Sequence, residues 1–117
     1  MPGPVKLPAD SFIARTKVTH YLLVSQPRGD KSRFLALAGY DASQADQLLH
    51  DIRTQILPCD AVFSELTEHG QFYEITCRLT GPNGRSLGTR TIWMKEHLSQ
   101  QTKFITLIPE RGLQDEH

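Results

Sequence analysis

We expect an α+β fold in which two or three N-terminal helices pack on a four-stranded antiparallel β-sheet meander. Helical patterns occupy the chain up to Pro58, and alternating strand patterns occupy almost everything after it, an order typical of this class. The clearest strand pair flanks the turn Gly81-Pro82-Asn83-Gly84, because proline presets φ and Asn-Gly accepts positive φ. The sequence predicts a single domain over residues 13–109, between a loose lead-in (1–12) and a flexible tail (110–117).

Three helices are predicted in the first half of the chain. Thr16, Asp30 and Asp41 are expected to cap them, because short oxygen-bearing side chains satisfy the free N–H groups of a first turn. The third helix, over residues 42–56, is the longest, and its Asp51 is expected to face solvent. Its apolar side chains repeat at helical spacing and are expected to pack on the sheet. They are Ala45, Leu48, Leu49, Ile52 and Ile56.

Strands are predicted at 61–66, on both sides of the central turn, and at 103–109. In the last strand, Ile105 and Leu107 alternate with Phe104 and Thr106, so we expect Ile105 and Leu107 to face the third helix.

The charge balance weighs against a generic nucleic-acid binder, because 13 basic and 13 acidic residues give a net charge of zero. The charges are unevenly spread. Residues 1–40 carry six basic and two acidic side chains, whereas residues 41–70 carry one basic and six acidic. This pattern fits a basic face opposite an acidic helix, and it fits ordinary charge mixing on a solvated surface equally well.

Several classes of site and location are disfavoured. No apolar run approaches the roughly 18–20 residues that cross a bilayer, and no apolar block resembles a signal peptide, so we expect a cytoplasmic protein without a membrane partner. Cys59 and Cys77 form no Cys-x-x-Cys pattern, so we expect two reduced structural thiols. The histidines do not pair at metal-ligand spacing, so we expect no metal and no cofactor.

The start of the second helix is the first candidate site. Arg28, Gly29, Lys31 and Arg33 lie where free N–H groups and the helix dipole favour an anion. Cations oppose that dipole, so their presence suggests that something negative binds there. The alternative is that they are solvated surface cations.

Arg90, Thr106 and His20 are the other candidates. Arg90 lies in the middle of a strand and must reach solvent, enter a polar groove or pair with a carboxylate, for which Glu74 on the neighbouring strand is available. Thr106 is a polar residue among apolar ones in the last predicted strand. Because threonine is common in strands, this alone is weak evidence for a functional site. His20 has the side chain of a general base near neutral pH, although a helix-terminal structural role is the commoner outcome.

A family resemblance covers about residues 13–109. It rests on Lys-Val-Thr-His-Tyr-Leu-Leu (17–23), Gly-Asp-Lys-Ser-Arg-Phe-Leu (29–35), Arg-Thr-Ile-Trp (90–93) and Phe-Ile-Thr-Leu-Ile-Pro (104–109). These blocks, and the order in which they occur, resemble those of the bacterial family known as domain of unknown function 6883. That family is similar in layout to the barnase–EndoU–colicin group of small ribonuclease toxins. The resemblance implies that Lys31, Arg90 and Thr106 line a cleft.

Two functions remain open. One is a metal-independent, toxin-like endoribonuclease, in which Lys31 and Arg90 stabilise the phosphorane, Thr106 binds a phosphate oxygen and His20 accepts a proton. Its partners would be RNA and a cognate antitoxin or immunity protein. The other is a non-catalytic protein-binding module, either an inactive toxin relative or a toxin-immunity partner. Relatives often show Asn-x-x-His-Pro after the first helix, whereas this chain has Val-Ser-Gln-Pro (24–27) and lacks that histidine.

Overall fold

A computed structural model describes residues 3–23 and 31–113. The α+β class is confirmed: four strands form one antiparallel sheet in the order β1-β2-β3-β4, with helical segments packed beside it. The strands are β1 (Val62–Leu66), β2 (Gly70–Thr80), β3 (Ser86–Glu96) and β4 (Thr102–Pro109).

The helices are shorter and less regular than predicted. Helix α1 (Arg15–Lys17) continues as a π-helical turn, Val18–Leu22, and α2 (Ser32–Ala36) is a single short helix. Helix α3 (Ala45–Asp51) follows a 3-10 turn, Ala42–Gln44, and continues as a second π-helical turn, Ile52–Ile56. Helical structure therefore lies mainly at 15–22 and 42–56.

The predicted helix caps have different outcomes. Asp41 caps as expected, because its carboxylate accepts a hydrogen bond of 2.8 Å from the Ser43 N–H. The prediction for Thr16 is wrong, since Ala14 precedes α1 and supplies no side-chain hydrogen bond. Asp30 lies outside the described residues.

The central turn is confirmed. The Gly84 N–H donates to the Gly81 carbonyl at 3.0 Å, and Gly84 has a φ of 85°, which suits a residue without Cβ. β2 and β3 then pair without a break from Thr80–Ser86 to Gly70–Glu96. This long hairpin forms the middle of the sheet.

One face of the sheet packs against the helices and builds the core. Trp93 is fully buried; its indole N–H donates to the Thr91 hydroxyl at 2.8 Å, and its ring lies 5.3 Å from that of Phe104. Leu48 and Ile52 belong to the same cluster, whereas Leu49 is only partly buried. The apolar face predicted for residues 42–56 is thus broadly confirmed.

Two core predictions need correction. In β4 the pairing skips Ile105, because Ile92 lies opposite Thr106 and Trp93 opposite Phe104. This β-bulge shifts the alternation, so Phe104 and Leu107 are buried, and Ile105 is not. Asp51 is buried rather than exposed, because the Tyr40 hydroxyl donates to its carboxylate. Burial and this carboxylate raise the pKa of Tyr40.

We predict that Gly81→Ala destabilises the fold. A Cβ at Gly81 would lie 2.2 Å from the carbonyl oxygen of Ala38 and 2.5 Å from its Cβ, so the central turn or the segment that follows α2 must shift, a strain that usually costs about 1–3 kcal/mol. Urea denaturation measures the loss. Gly3→Ala is the matched control, because no atom lies within 4 Å of its added Cβ. Equal stability of the two variants would contradict this close packing.

Candidate functional site

Arg90 lies on the sheet face opposite the helices. Its neighbours in β3, Thr89 and Thr91, are fully buried on the core side, and side chains of a strand alternate between faces. Arg90 is directly opposite Thr76 on β2 and Ile108 on β4. We call this surface the open face.

Two carboxylates approach the Arg90 guanidinium. Nη1 lies 3.4 Å from Glu74 Oε1, as the sequence suggested, and Nε lies 3.8 Å from Glu110 Oε2. The Arg90 side chain is 39% exposed, so solvent screens both ion pairs and each contributes little to stability. The 3.8 Å contact is too long for a hydrogen bond.

Thr106 lies on the same open face and diagonal to Arg90. It pairs with Ile92, two residues along from Arg90, and Glu74 lies opposite Ile92 on the other side. Diagonal neighbours are about 7–8 Å apart, within reach of a long side chain. Arg90, Glu74, Thr106 and Glu110 therefore form one group, which we call the Arg90 cluster.

The Arg90 cluster contains two buried polar atoms without a hydrogen-bond partner. They are Arg90 Nε and Thr106 Oγ1, both inaccessible to solvent and unpartnered within the described part of the chain. Buried polar atoms are nearly always hydrogen-bonded in folded proteins, so each exception calls for a ligand, a water molecule or an explanation by strain.

Glu110 is a member of the cluster that the sequence did not indicate. Residues 110–113 were predicted to belong to a flexible tail, whereas Arg111–Leu113 forms a 3-10 turn. The Glu110 N–H donates to the Gly88 carbonyl at 3.0 Å. A Cβ on Gly88 would lie 2.5 Å from Leu113 Cβ, so only glycine allows this turn to approach β3. The sequence signal that could have indicated this contact is Gly88 itself, because a glycine inside a strand often marks the close approach of another backbone segment.

The predicted anion site at the second helix lies in a different part of the molecule. Lys31 is half-buried at the start of α2, and Leu35 of that helix packs in the core on the helix side of the sheet. Arg33 is exposed and lines a cavity of about 230 Å³ with Tyr40 and Asp41. Arg28 and Gly29 lie outside the described residues. This anion site stays a prediction.

His20 also belongs to the helix layer. It lies in the π-helical turn whose Val18 and Leu22 are buried, and its own side chain is exposed, so it faces away from the core and the sheet. The structure thus brings Arg90 and Thr106 together on the open face and leaves Lys31 and His20 on the helix side.

Other kinds of site are not visible in the described ranges 3–23 and 31–113. No three His, Cys, Asp or Glu side chains there come together as metal ligands. No helix within these ranges is long and apolar enough to span a membrane.

Comparison with known proteins identifies a family. The model of the family described as Domain of unknown function (DUF6883) matches residues 7–111, which includes every strand and the whole Arg90 cluster. No curated protein and no solved structure matches the chain.

Proposed function

We propose that this chain, which belongs to the family described as Domain of unknown function (DUF6883), binds an RNA phosphodiester at the Arg90 cluster and cleaves it without metal. The observation that carries the proposal is the pair of unpartnered buried atoms, Arg90 Nε and Thr106 Oγ1. An N–H donor and a hydroxyl at diagonal positions on one sheet face are suitable partners for two oxygens of one phosphate.

Glu74 supplies the third group that this reaction needs. Its carboxylate lies 3.4 Å from the Arg90 guanidinium, so a phosphate held by Arg90 would bring the adjacent ribose near this carboxylate. Glu74 would accept the 2′-hydroxyl proton as general base. This role replaces the one that the sequence suggested for His20, because His20 faces away from the sheet.

The proposed reaction is a phosphodiester transfer. The 2′-oxygen forms a bond to phosphorus, its proton passes to Glu74, and the bond to the 5′-oxygen breaks as that oxygen takes a proton from water. Arg90 and Thr106 stabilise the negative charge of the pentacoordinate intermediate. The products are a 2′,3′-cyclic phosphate and a free 5′-hydroxyl.

Metal-free RNA cleavage tests the proposal. The purified full chain is incubated with total bacterial RNA in EDTA, and the new ends are analysed. We expect fragments that carry 2′,3′-cyclic phosphates. If the folded protein leaves RNA intact over a range of pH values and salt concentrations, the nuclease proposal is wrong.

The exposed edge of the sheet favours a second candidate function, a protein-binding module. All five residues of β1 are exposed, and three of them, Val62, Phe63 and Leu66, are large and apolar. β1 lies at the end of the sheet with β2 as its neighbour. Such an edge offers unpaired backbone groups to an added strand.

The chemistry around β1 indicates which strand would bind. Val5 already pairs with Ala61, just before β1, through hydrogen bonds of 2.8 and 2.7 Å. The edge that leads into β1 can therefore pair with an extended segment. Glu65 and Glu68 lie along this stretch, and residues 60–68 include no lysine or arginine. A second copy would bring like charges together, so the favoured partner is an extended segment with alternating apolar and basic side chains.

A synthetic peptide tests this second function. Titration with a peptide of alternating valine and lysine should shift the backbone amide NMR signals of residues 62–66, and Glu65→Lys should weaken binding. A valine–glutamate peptide is the matched control. Equal binding of both peptides, or shifts elsewhere only, would contradict binding at this edge.

A further inference from the structure

The two cysteines meet at the junction between the helical layer and the sheet. Cys59 follows Pro58 after the π-helical turn Ile52–Ile56, and Cys77 lies in β2. Their Sγ atoms are 2.7 Å apart. The sequence suggested two separate structural thiols, since it showed no paired cysteine motif.

The junction is already held in place by one glutamine. The Gln55 side chain donates to the Thr80 carbonyl at 2.9 Å and accepts from the Thr80 N–H at 2.8 Å. The Gln55 backbone carbonyl accepts from the Cys59 thiol at 3.2 Å. The end of the helical segment and β2 are therefore fixed next to each other before any covalent bond forms.

Each cysteine is only partly buried, at the margin of the hydrophobic core. The distance between the sulfurs exceeds an S–S bond, about 2.04 Å, by less than 1 Å. A small local movement would therefore bring them to bonding distance.

We propose that Cys59 and Cys77 form a reversible intramolecular disulfide that links the helical segment to β2. The bond would close a loop that contains all of β1 and the β1–β2 turn. The oxidant is a low-molecular-weight disulfide, such as oxidised glutathione.

The exchange proceeds in two steps. The Cys59 thiolate attacks one sulfur of the oxidant, forms a mixed disulfide and releases one glutathione thiol. Cys77 then loses its proton and attacks the Cys59 sulfur, which releases the second glutathione thiol. Two protein thiols are oxidised and one glutathione disulfide is reduced, so electrons and protons balance.

Burial, followed by the hydrogen bond with Cys59, raises the pKa of Cys77 to about 12. Cys77 is therefore protonated near neutral pH. Since exchange depends on the thiolate fraction, the second step should accelerate as the pH rises.

Oxidation of the full chain by glutathione disulfide tests the proposal. We expect a monomer that has lost two hydrogens, carries no glutathione, and yields a Cys59–Cys77 linked peptide after non-reducing digestion. The Tm should rise by about 10 °C, because the bond constrains the unfolded chain. Dithiothreitol should reverse both changes.

Cys59→Ser and Cys77→Ser are the matched controls, and each should show no linked peptide and no rise in Tm. The wild-type mass measurement does not depend on whether these variants fold. Stable mixed disulfides with glutathione, disulfide-linked dimers, or two unreacted thiols in the native wild type would each overturn the proposal. None of these outcomes bears on RNA cleavage, so the two proposals fail separately.

Discussion

Arg90→Ala is expected to lower the rate of metal-free RNA cleavage by about 10²–10³-fold, the usual loss for one preorganised group that stabilises transition-state charge. Among the four side chains of the Arg90 cluster, the guanidinium is the one cationic group, and it pairs with the carboxylates of Glu74 and Glu110. Cleavage of a short fluorescent RNA in EDTA provides the measurement. Arg85→Ala is the matched control, since Arg85 is exposed directly after the central turn.

Two further variants test how the Arg90 cluster acts. Glu74→Gln keeps the size of the side chain and removes the base, so it should lower the rate of RNA cleavage by about 10²–10⁴-fold. The Arg90→Ala/Glu74→Gln double variant should cleave RNA only slightly more slowly than the slower single variant, because the effects of substituting residues that act as a unit are not additive. Wild-type rates in both single variants would place the reaction elsewhere.

The Lys31→Ala variant tests whether RNA is cleaved on the open face alone or in a cleft that also includes Lys31, as the family resemblance implies. Lys31 lies at the start of α2 in the helix layer, so its loss should reduce cleavage much less than that of Arg90. A loss as large as that of Arg90→Ala would mean that both cations contact one phosphate, and the site would then extend to α2.

Leu48→Ala is expected to lower the free energy of unfolding by about 2–5 kcal/mol. Leu48 is 0% exposed in the core, and truncating a buried leucine removes apolar burial and leaves a cavity. Leu98→Ala is the matched control: the same substitution at a leucine that is 98% exposed should change stability by less than about 0.5 kcal/mol. Urea denaturation followed by tryptophan fluorescence measures both variants.

Similar losses in the two variants would contradict the packing of α3 against the sheet. Leu49→Ala should fall between them, because Leu49 is partly buried at the margin of the same core.

The sequence by itself determined the features that depend on neighbouring residues. Alternation along β2 and β3 set which side chains share a face, and the Gly81-Pro82-Asn83-Gly84 turn fixed their hairpin. Gly39 has the positive φ, 95°, expected of a glycine after α2. Steric limits on φ and the period of each element act locally, so the pattern of residues specifies them.

Only the tertiary structure decided which groups meet across the chain. The bulge at Ile105 placed Phe104 in the core instead of Ile105, and the Tyr40 hydroxyl hydrogen-bonds the buried Asp51 carboxylate. Glu110 reached Arg90 through the close approach to Gly88, and Cys59 met Cys77. Such contacts depend on strand register and on the packing of distant elements, which a local pattern does not specify because many residues jointly set them.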